Sequence, residues 1–275
     1  NYIVPASQIA QTLELPGMPL ASAEACTDKD LMRELFSKAP AKISPDYMVV
    51  RSKAELLSFA ENHDFPLMLK PANLVKSLLI TKNHDIKELL DNYQKATEKI
   101  DALYKKYAPG RKPKLIVEEF MEGPVHSVDA FVGAEGNPNL LEQIVDYETG
   151  YDIGYDDNFH YSRNIPSKLS SADQHKLRQC AEMGVKALSM KSSPAHIEII
   201  MTSQGPRIVE IGARNGGYRA RMHGLANGID VIGNTLLLAL GKKPNITASQ
   251  NDPCAVLELF PKKHGIFDRL THEKE

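Results

Sequence analysis

Ala195-His196-Ile197-Glu198-Ile199-Ile200-Met201, Thr202-Ser203-Gln204-Gly205-Pro206 and Arg207-Ile208-Val209-Glu210-Ile211 run on without a break, and their reading decides the fold. Apolar, β-branched residues flank a five-residue turn containing Gly-Pro, which is a hairpin signal. With Met201 opposite Arg207, Ile200 meets Ile208 and Glu198 meets Glu210. The other face carries Ile197, Ile199, Met201, Val209 and Ile211, with Arg207, and is expected to face the core. The two carboxylates then sit about 5 Å apart, and like charges directly opposite are destabilising. Three readings stay open. A hard cation such as Mg²⁺ offsets the repulsion, one carboxyl is neutral and the two share a proton, or the register slips and the two never meet.

The next residues are Gly212-Ala213-Arg214-Asn215-Gly216-Gly217-Tyr218-Arg219-Ala220-Arg221. Guanidinium forks match phosphate and carboxylate oxygens, and glycines let a backbone approach them closely. Carboxylates for a metal beside arginines for anions are the parts of a phosphoryl-transfer site. The plainer reading is a Gly-rich loop whose arginines are solvated.

Three further segments lie upstream. Thr27-Asp28-Lys29-Asp30-Leu31-Met32-Arg33-Glu34-Leu35-Phe36 reads as a short amphipathic helix capped by Thr27 or Asp28. On its own, Lys29 is an ordinary solvated charge. Phe65-Pro66-Leu67-Met68-Leu69-Lys70-Pro71 reads as an apolar strand that the second proline ends. A lysine closing a buried strand is costly unless its ammonium meets an anion. After it, residues 72–80 contain no glycine but do contain Lys76 and Ser77. Leu115-Ile116-Val117-Glu118-Glu119-Phe120-Met121-Glu122-Gly123-Pro124 is a strand with an acidic hinge, and a second, alternating strand begins at His126-Ser127-Val128-Asp129. Glu118 and Glu119 alone read as a solvated strand end. Asp129 either lines a site with Ser127 or is a satisfied, partly buried polar group.

Taken in this order, the motifs resemble the ATP-grasp superfamily, most of all its carboxylate–amine and amino-acid ligases near biotin carboxylase and the purine-pathway synthetases. The resemblance runs from about Thr27 to about Pro261. It implies an α/β (α+β) fold of two subdomains with ATP sandwiched between their sheets. It implies that Lys29 and Lys70 reach the ATP phosphates, with Lys76 adding a charge. It places the adenine along the hinge at Glu118, Glu119 and Met121, and the ribose near His126 or an acidic neighbour. Glu198 and Glu210 become Mg²⁺ ligands, with Mn²⁺ as a substitute cation. Arg214, with Arg219 or Arg221, stabilises the transferring phosphoryl group, while Gly212 stands where many members carry Asn. The implied reaction converts a carboxylate to an acyl phosphate with release of ADP. An amine then displaces phosphate and forms an amide or peptide bond. Two rivals are another ATP-grasp ligase using bicarbonate or glycine as the acid, and a nucleotide-binding module that does not catalyse.

The rest of the chain agrees with a globular enzyme. The 275 residues are 42% hydrophobic and 25% charged, with a formal net charge of −2, so no broad basic surface for nucleic acid is implied. Cys26, Cys180 and Cys254 are scattered without metal-type spacing, which suggests a reducing, cytoplasmic setting. No apolar run approaches a membrane span of about 18 residues, and no signal peptide is evident. Helices are expected over Ser7 to Leu13, Ser52 to Asn62, Asp85 to Tyr107 and Ser170 to Leu188, the last opening with a capping-box pattern. Val231 to Leu240 reads as a core helix, Tyr47 to Val50 as a strand, and Leu78-Leu79-Ile80 as the partner of the Lys70 strand. Tyr147 to Arg163, without regular periodicity, is either a mobile loop over a site or an aromatic-packed connection. The expected division is 1–27 as the remnant of a preceding domain, 28–113 as a small lobe, 114–265 as a large lobe and 266–275 as a tail. The leading α/β domain usual in the family is expected to be absent. The expected partners are small carboxylate and amine substrates, without nucleic acid or membrane, and a homodimer is compatible with the resemblance.

Overall fold

Helix signals close to the ends of each segment decide where the chain turns. The computed structural model describes residues 2–74, 78–155, 159–260, 265–266 and 268–269. The first elements are α1 (Ile3–Thr12), α2 (Leu20–Ala25) and α3 (Lys29–Phe36). Asp28 caps α3 by accepting the amide of Asp30. Next come β1 (Tyr47–Val50), α4 (Lys53–Glu61), β2 (Leu67–Pro71), β3 (Thr81–Asn83), α5 (Ile86–Tyr107) and β4 (Leu115–Glu119). Ser52 and Glu55 form a reciprocal capping box on α4, and Asp85 caps α5. These four strands make one antiparallel sheet in the order β1-β4-β2-β3. α4 and α5 cover it, burying Leu56, Phe59, Leu89, Ile100 and Tyr104 against Leu67, Leu69 and Val117.

The second sheet begins with β5 (Val125–Val132), β6 (Pro138–Leu140), β7 (Val145–Thr149) and β8 (His160–Ile165). It continues past α6 (Ser171–Ala187) with β9 (Ser193–Thr202) and β10 (Gly205–Gly212). After α7 (Arg219–Asn227) and α8 (Val231–Ala239), β11 (Cys254–Leu257) completes it. The seven strands run in the order β10-β9-β5-β7-β8-β11, with β6 beside β5, and every pairing is antiparallel. α6 packs on this sheet with Leu177, Val185 and Leu188 against Ile197, Ile199, Ile208 and Ile211.

Several expectations are corrected. α2 was not foreseen, and Ala23, Met32 and Phe36 of the first hundred residues lie in the core of the large sheet, not of the small one. β4 pairs with both β1 and β2, so the small sheet extends to Glu119, beyond the boundary expected at 113. The partner of β2 is Thr81–Asn83, one residue past Leu78-Leu79-Ile80. The irregular-looking Tyr147–Arg163 stretch has strand at both ends, β7 and β8 pairing Glu148 with Ser162. α8 buries Val231 and Leu238 but leaves Ile232 and Leu236 exposed, so it covers the core with one face only. Among the described residues, no helix is long and apolar enough to cross a membrane.

The hairpin differs in a way that matters for function. Its turn is tighter than five residues: Thr202 faces Gly205, Met201 faces Pro206 and Ile200 faces Arg207. That register is one residue away from the expected one. A bulge between Ile208 and Glu210 then skips Val209 and brings Glu210 opposite Glu198 after all. Ile208 consequently occupies the core where Val209 was expected, and Val209 turns to the opposite side.

Phe36 is the most deeply set aromatic of the N-terminal segment and lies in the large-sheet core. Phe36→Ala is expected to cost about 3–5 kcal/mol in urea unfolding, the range for a truncated core aromatic. A loss below about 1 kcal/mol would contradict this placement of α3.

Candidate active site

A cleft of about 1650 Å³ lies between the two sheets, larger than the roughly 300–1,000 Å³ of common ligand pockets. Each charged wall comes from the end of a regular element. β2 delivers Lys70, β4 delivers Glu118, the first turn of α3 delivers Lys29, and the β9–β10 hairpin delivers Glu198 and Glu210.

These groups are interlocked. Lys70 Nζ lies 2.5 Å from Glu118 Oε2, and Arg33 Nε donates to Glu118 Oε1 at 3.0 Å. Lys29 Nζ donates to Glu210 Oε2 at 2.7 Å. Arg33 is fully buried, and its Nη2 donates to the carbonyl of the bulged Val209 at 2.8 Å. Lys29 holds the Glu210 carboxyl down to about 2, against the effect of burial. Burial would raise Glu118, but Arg33 and Lys70 outweigh it and keep its carboxyl below the usual value. For Lys70, burial dominates: with Arg33 and Lys29 adding to it, the ammonium falls below the ordinary lysine value despite Glu118. Arg33 and Lys70 thus share the single carboxylate of Glu118, and an anion entering the cleft would relieve Lys70. Glu198 and Glu210 are both held ionised while they repel one another, which is the donor chemistry of a hard divalent cation. The residues fit such an ion.

The site residues expected from sequence divide clearly. Lys29, Lys70, Glu118, Glu119, Met121, Glu198, Glu210 and Arg214 all border the cleft. Glu118, however, is committed to Arg33 and Lys70. The Glu119 side chain accepts from the amide of Asp46 and from Lys42, and its own amide donates to the Asp46 carbonyl, so Met121 is the freer part of the hinge. His126 does not reach the cleft; its ring is buried with Nδ1 2.7 Å from Asp146 Oδ1, because alternation on β5 turns it to the other face. Arg219 and Arg221 are not brought to the cleft either. The chain enters α7 at this point, which buries Arg219 against Asp129 and leaves Arg221 exposed on the helix. Asp129 proves to be the satisfied buried polar group. Lys76 falls outside the described residues.

Sequence reasoning missed other residues in and around the cleft: Arg163, Glu258, Phe159 and Phe260 line it, while Arg33 is buried behind it. Arg33 follows Lys29 by one helical turn, and that i, i+4 spacing was the available signal. At the outer end, Arg163 Nη1 lies 2.5 Å from Glu258 Oε2, and the Tyr218 hydroxyl donates to Glu258 Oε1 at 2.8 Å. Phe159 and Phe260 stack beside them with centroids 4.8 Å apart. Tyr218 adopts a left-handed backbone with φ of 64°, a conformation costly for a bulky residue and typical of positions where geometry serves a site. Nothing local links Glu258 to Arg163, which precedes it by 95 residues.

Two antiparallel sheets clasping a cleft, with lysines beside paired glutamates, define a class of nucleotide-dependent enzyme folds. A profile of the ATP-grasp domain matches residues 63–221, and the chain belongs to the ATP-grasp family. Its fold is similar to that of an L-amino acid ligase from Bacillus licheniformis, with a TM-score of 0.80 at 21% identity, covering 98% of this chain and 64% of that one. A biotin carboxylase from Campylobacter jejuni gives a TM-score of 0.74 at 15% identity, covering 92% and 55%. In sequence, a D-alanine–D-alanine ligase of Streptomyces avermitilis is 31% identical over 159 residues, 50% of this chain and 39% of that protein. A phosphoribosylamine–glycine ligase of Methanobrevibacter smithii is 25% identical over 219 residues, covering 74% of this chain and 48% of its own length. The chain spans about half or less of the length of these curated relatives.

Two measurements check the electrostatics. Glu118→Gln leaves Arg33 and Lys70 buried without their counter-charge, and the expected loss in urea unfolding is about 3–5 kcal/mol. The second is a pH series in chelator. Glu210 titrates near 2 in the folded state against 4.5 ordinarily, so its stabilising effect is complete above 4.5 and is lost as pH falls towards 2. The melting temperature of Glu210→Gln should therefore respond less to acidification between pH 5 and pH 3 than that of the parent, the flattening being modest because the group is partly exposed.

Proposed function

We propose that this chain carries the ATP-binding and phosphoryl-transfer core of a ligase that activates a small carboxylate as an acyl phosphate and joins it to an amine. The observation that carries the reading is one cleft in which Lys70 shares the Glu118 carboxylate with buried Arg33, beside Lys29 and the paired Glu198 and Glu210. Lys29 and Lys70 lie where they can exchange their carboxylate partners for nucleotide phosphates. Met121 borders the hinge where a base would lie.

Glu198 and Glu210 are the residues that would hold Mg²⁺, which when bound neutralises and orients phosphate oxygens. Arg214 lines the cleft close enough to Glu210 to lower its carboxyl, and it is the arginine available to the transferring group. Protein groups need only position the reactants and neutralise charge, so no Ser or Cys nucleophile is required. The organic substrates would meet the outer end of the cleft, where Arg163 and Glu258 offer one cation and one anion between aromatic walls.

Calorimetric titration of ATP with and without Mg²⁺ tests this, followed by a phosphate-release screen over amino acids and simple carboxylic acids. Mg²⁺-dependent binding that Glu210→Ala weakens at least tenfold is expected, as is phosphate release that needs both an acid and an amine. ATP binding without any substrate-dependent phosphate release would instead favour a nucleotide-binding module. Absence of ATP binding would overturn the reading altogether.

A further inference from the structure

Behind the two glutamates lies a buried polar network that the ligase reading leaves unused. His196 and Glu198 are two residues apart on β9 and so share a face. His196 Nδ1 lies 2.8 Å from Asp129 Oδ1, and its Nε2 lies 3.3 Å from Glu198 Oε1. The ring therefore spans two carboxylates, each of which can only accept. Asp129 is anchored in turn: Arg219 Nε donates to its Oδ2 at 3.0 Å, and His223 Nε2 lies 3.6 Å from the same oxygen. Arg219 is itself fixed by the hydroxyls of Ser127 and Tyr147. Asp129, His196, Arg219 and His223 are all more than nine-tenths buried.

A second observation comes from the glycine-rich loop. A Cβ on Gly216 would lie 2.5 Å from His196 Nδ1 and 2.6 Å from Arg219 Cγ. Real side chains do not approach so closely, so glycine at this position lets the loop close over the network. Glycine here serves packing on His196, not approach to a phosphate.

The two cleft glutamates are thus held in parallel ways. Lys29 grips one oxygen of Glu210, and His196 grips one oxygen of Glu198. We propose that Asp129 and His196 are positioning residues for Glu198, fixing the direction of its carboxylate and thereby setting the affinity of the hairpin for a divalent cation. The proposal rests on the reading of Glu198 and Glu210 as cation ligands. Partners behind a ligand commonly change metal affinity by about 10–100-fold when removed. The buried position of Asp129, some 67 residues from His196 in sequence, also makes the hold a property of the folded sheet.

The test is Mn²⁺ binding to the full chain in the presence of ADP, followed by electron paramagnetic resonance. ADP affinity without metal and the melting temperature are measured on each variant alongside. His196→Leu, which removes both carboxylate contacts and a longer one of 3.4 Å to the Tyr147 hydroxyl, should weaken Mn²⁺ about 10–100-fold while leaving metal-free ADP affinity within twofold. His196→Gln, whose amide can still donate to Glu198, should recover much of the loss. Should His196→Leu fail to fold, the comparison of His196→Gln with the shorter His196→Asn decides, with Asn expected to be the weaker binder. Variants that lower the melting temperature but keep Mn²⁺ affinity within twofold of the parent overturn the proposal and leave the ligase reading intact. A parent that binds ADP but no Mn²⁺ overturns the assignment of both glutamates, and this proposal with it.

Discussion

One buried guanidinium, that of Arg33, ties the two sheets together. Its Nε donates to Glu118 on β4 of the small sheet, and its Nη2 donates to the carbonyl of Val209 on β10 of the large one. Val209 is the residue that the bulge leaves out of register, so its carbonyl needs a partner outside the regular ladder. Without the bulge, Val209 would face Glu198, and Glu210 would be turned onto the core face beside Ile197. Arg33 thus supports the local irregularity that brings two carboxylates to one side of the hairpin, and at the same contact it places Glu118 beside Lys70.

The arrangement is electrostatically expensive. Desolvating an ion costs several kcal/mol even in a relaxed protein, and a pair offsets this only with close, well-aligned contacts. Here the contacts are close, but the charges are unevenly divided, and Lys70 shows the imbalance as an ammonium pushed below its ordinary value. A hydrophobic substitute for these groups would stabilise the fold at least as well. Lys29 and Lys70, by contrast, both border the cleft, where an anion can reach them.

Beneath that layer the large sheet carries a second set of buried polar groups, from Asp129 through His196 to Glu198. Burial works against protonation of His196, yet Asp129 and its hydrogen bond raise the imidazole to about 9. Both layers reach the glutamate hairpin from outside it: Lys29 comes from α3, and Asp129 from β5. The hairpin supplies the carboxylates, and the surrounding elements supply the charges that hold them.

The local signals in the sequence were sound. Capping residues Ser52, Asp85 and Ser170 begin their helices as read, and Tyr47–Val50 is a strand at the expected bounds. Glu198 does meet Glu210, and Lys70 does close a buried strand. His126, Arg219 and Arg221 were misplaced because short motifs carry no information on which face of β5 or α7 looks into the cleft. Alternation and helical period are local properties of the chain and can be read from it. The bulge at Val209, the fork of Arg33 and the Arg163–Glu258 pair depend on which distant backbone atoms and charges come into contact. The sequence by itself therefore determined the elements and the chemical kinds of residue in the cleft. Only the tertiary structure decided which charge faces which, because burial and long-range pairing set the cost of every charged group.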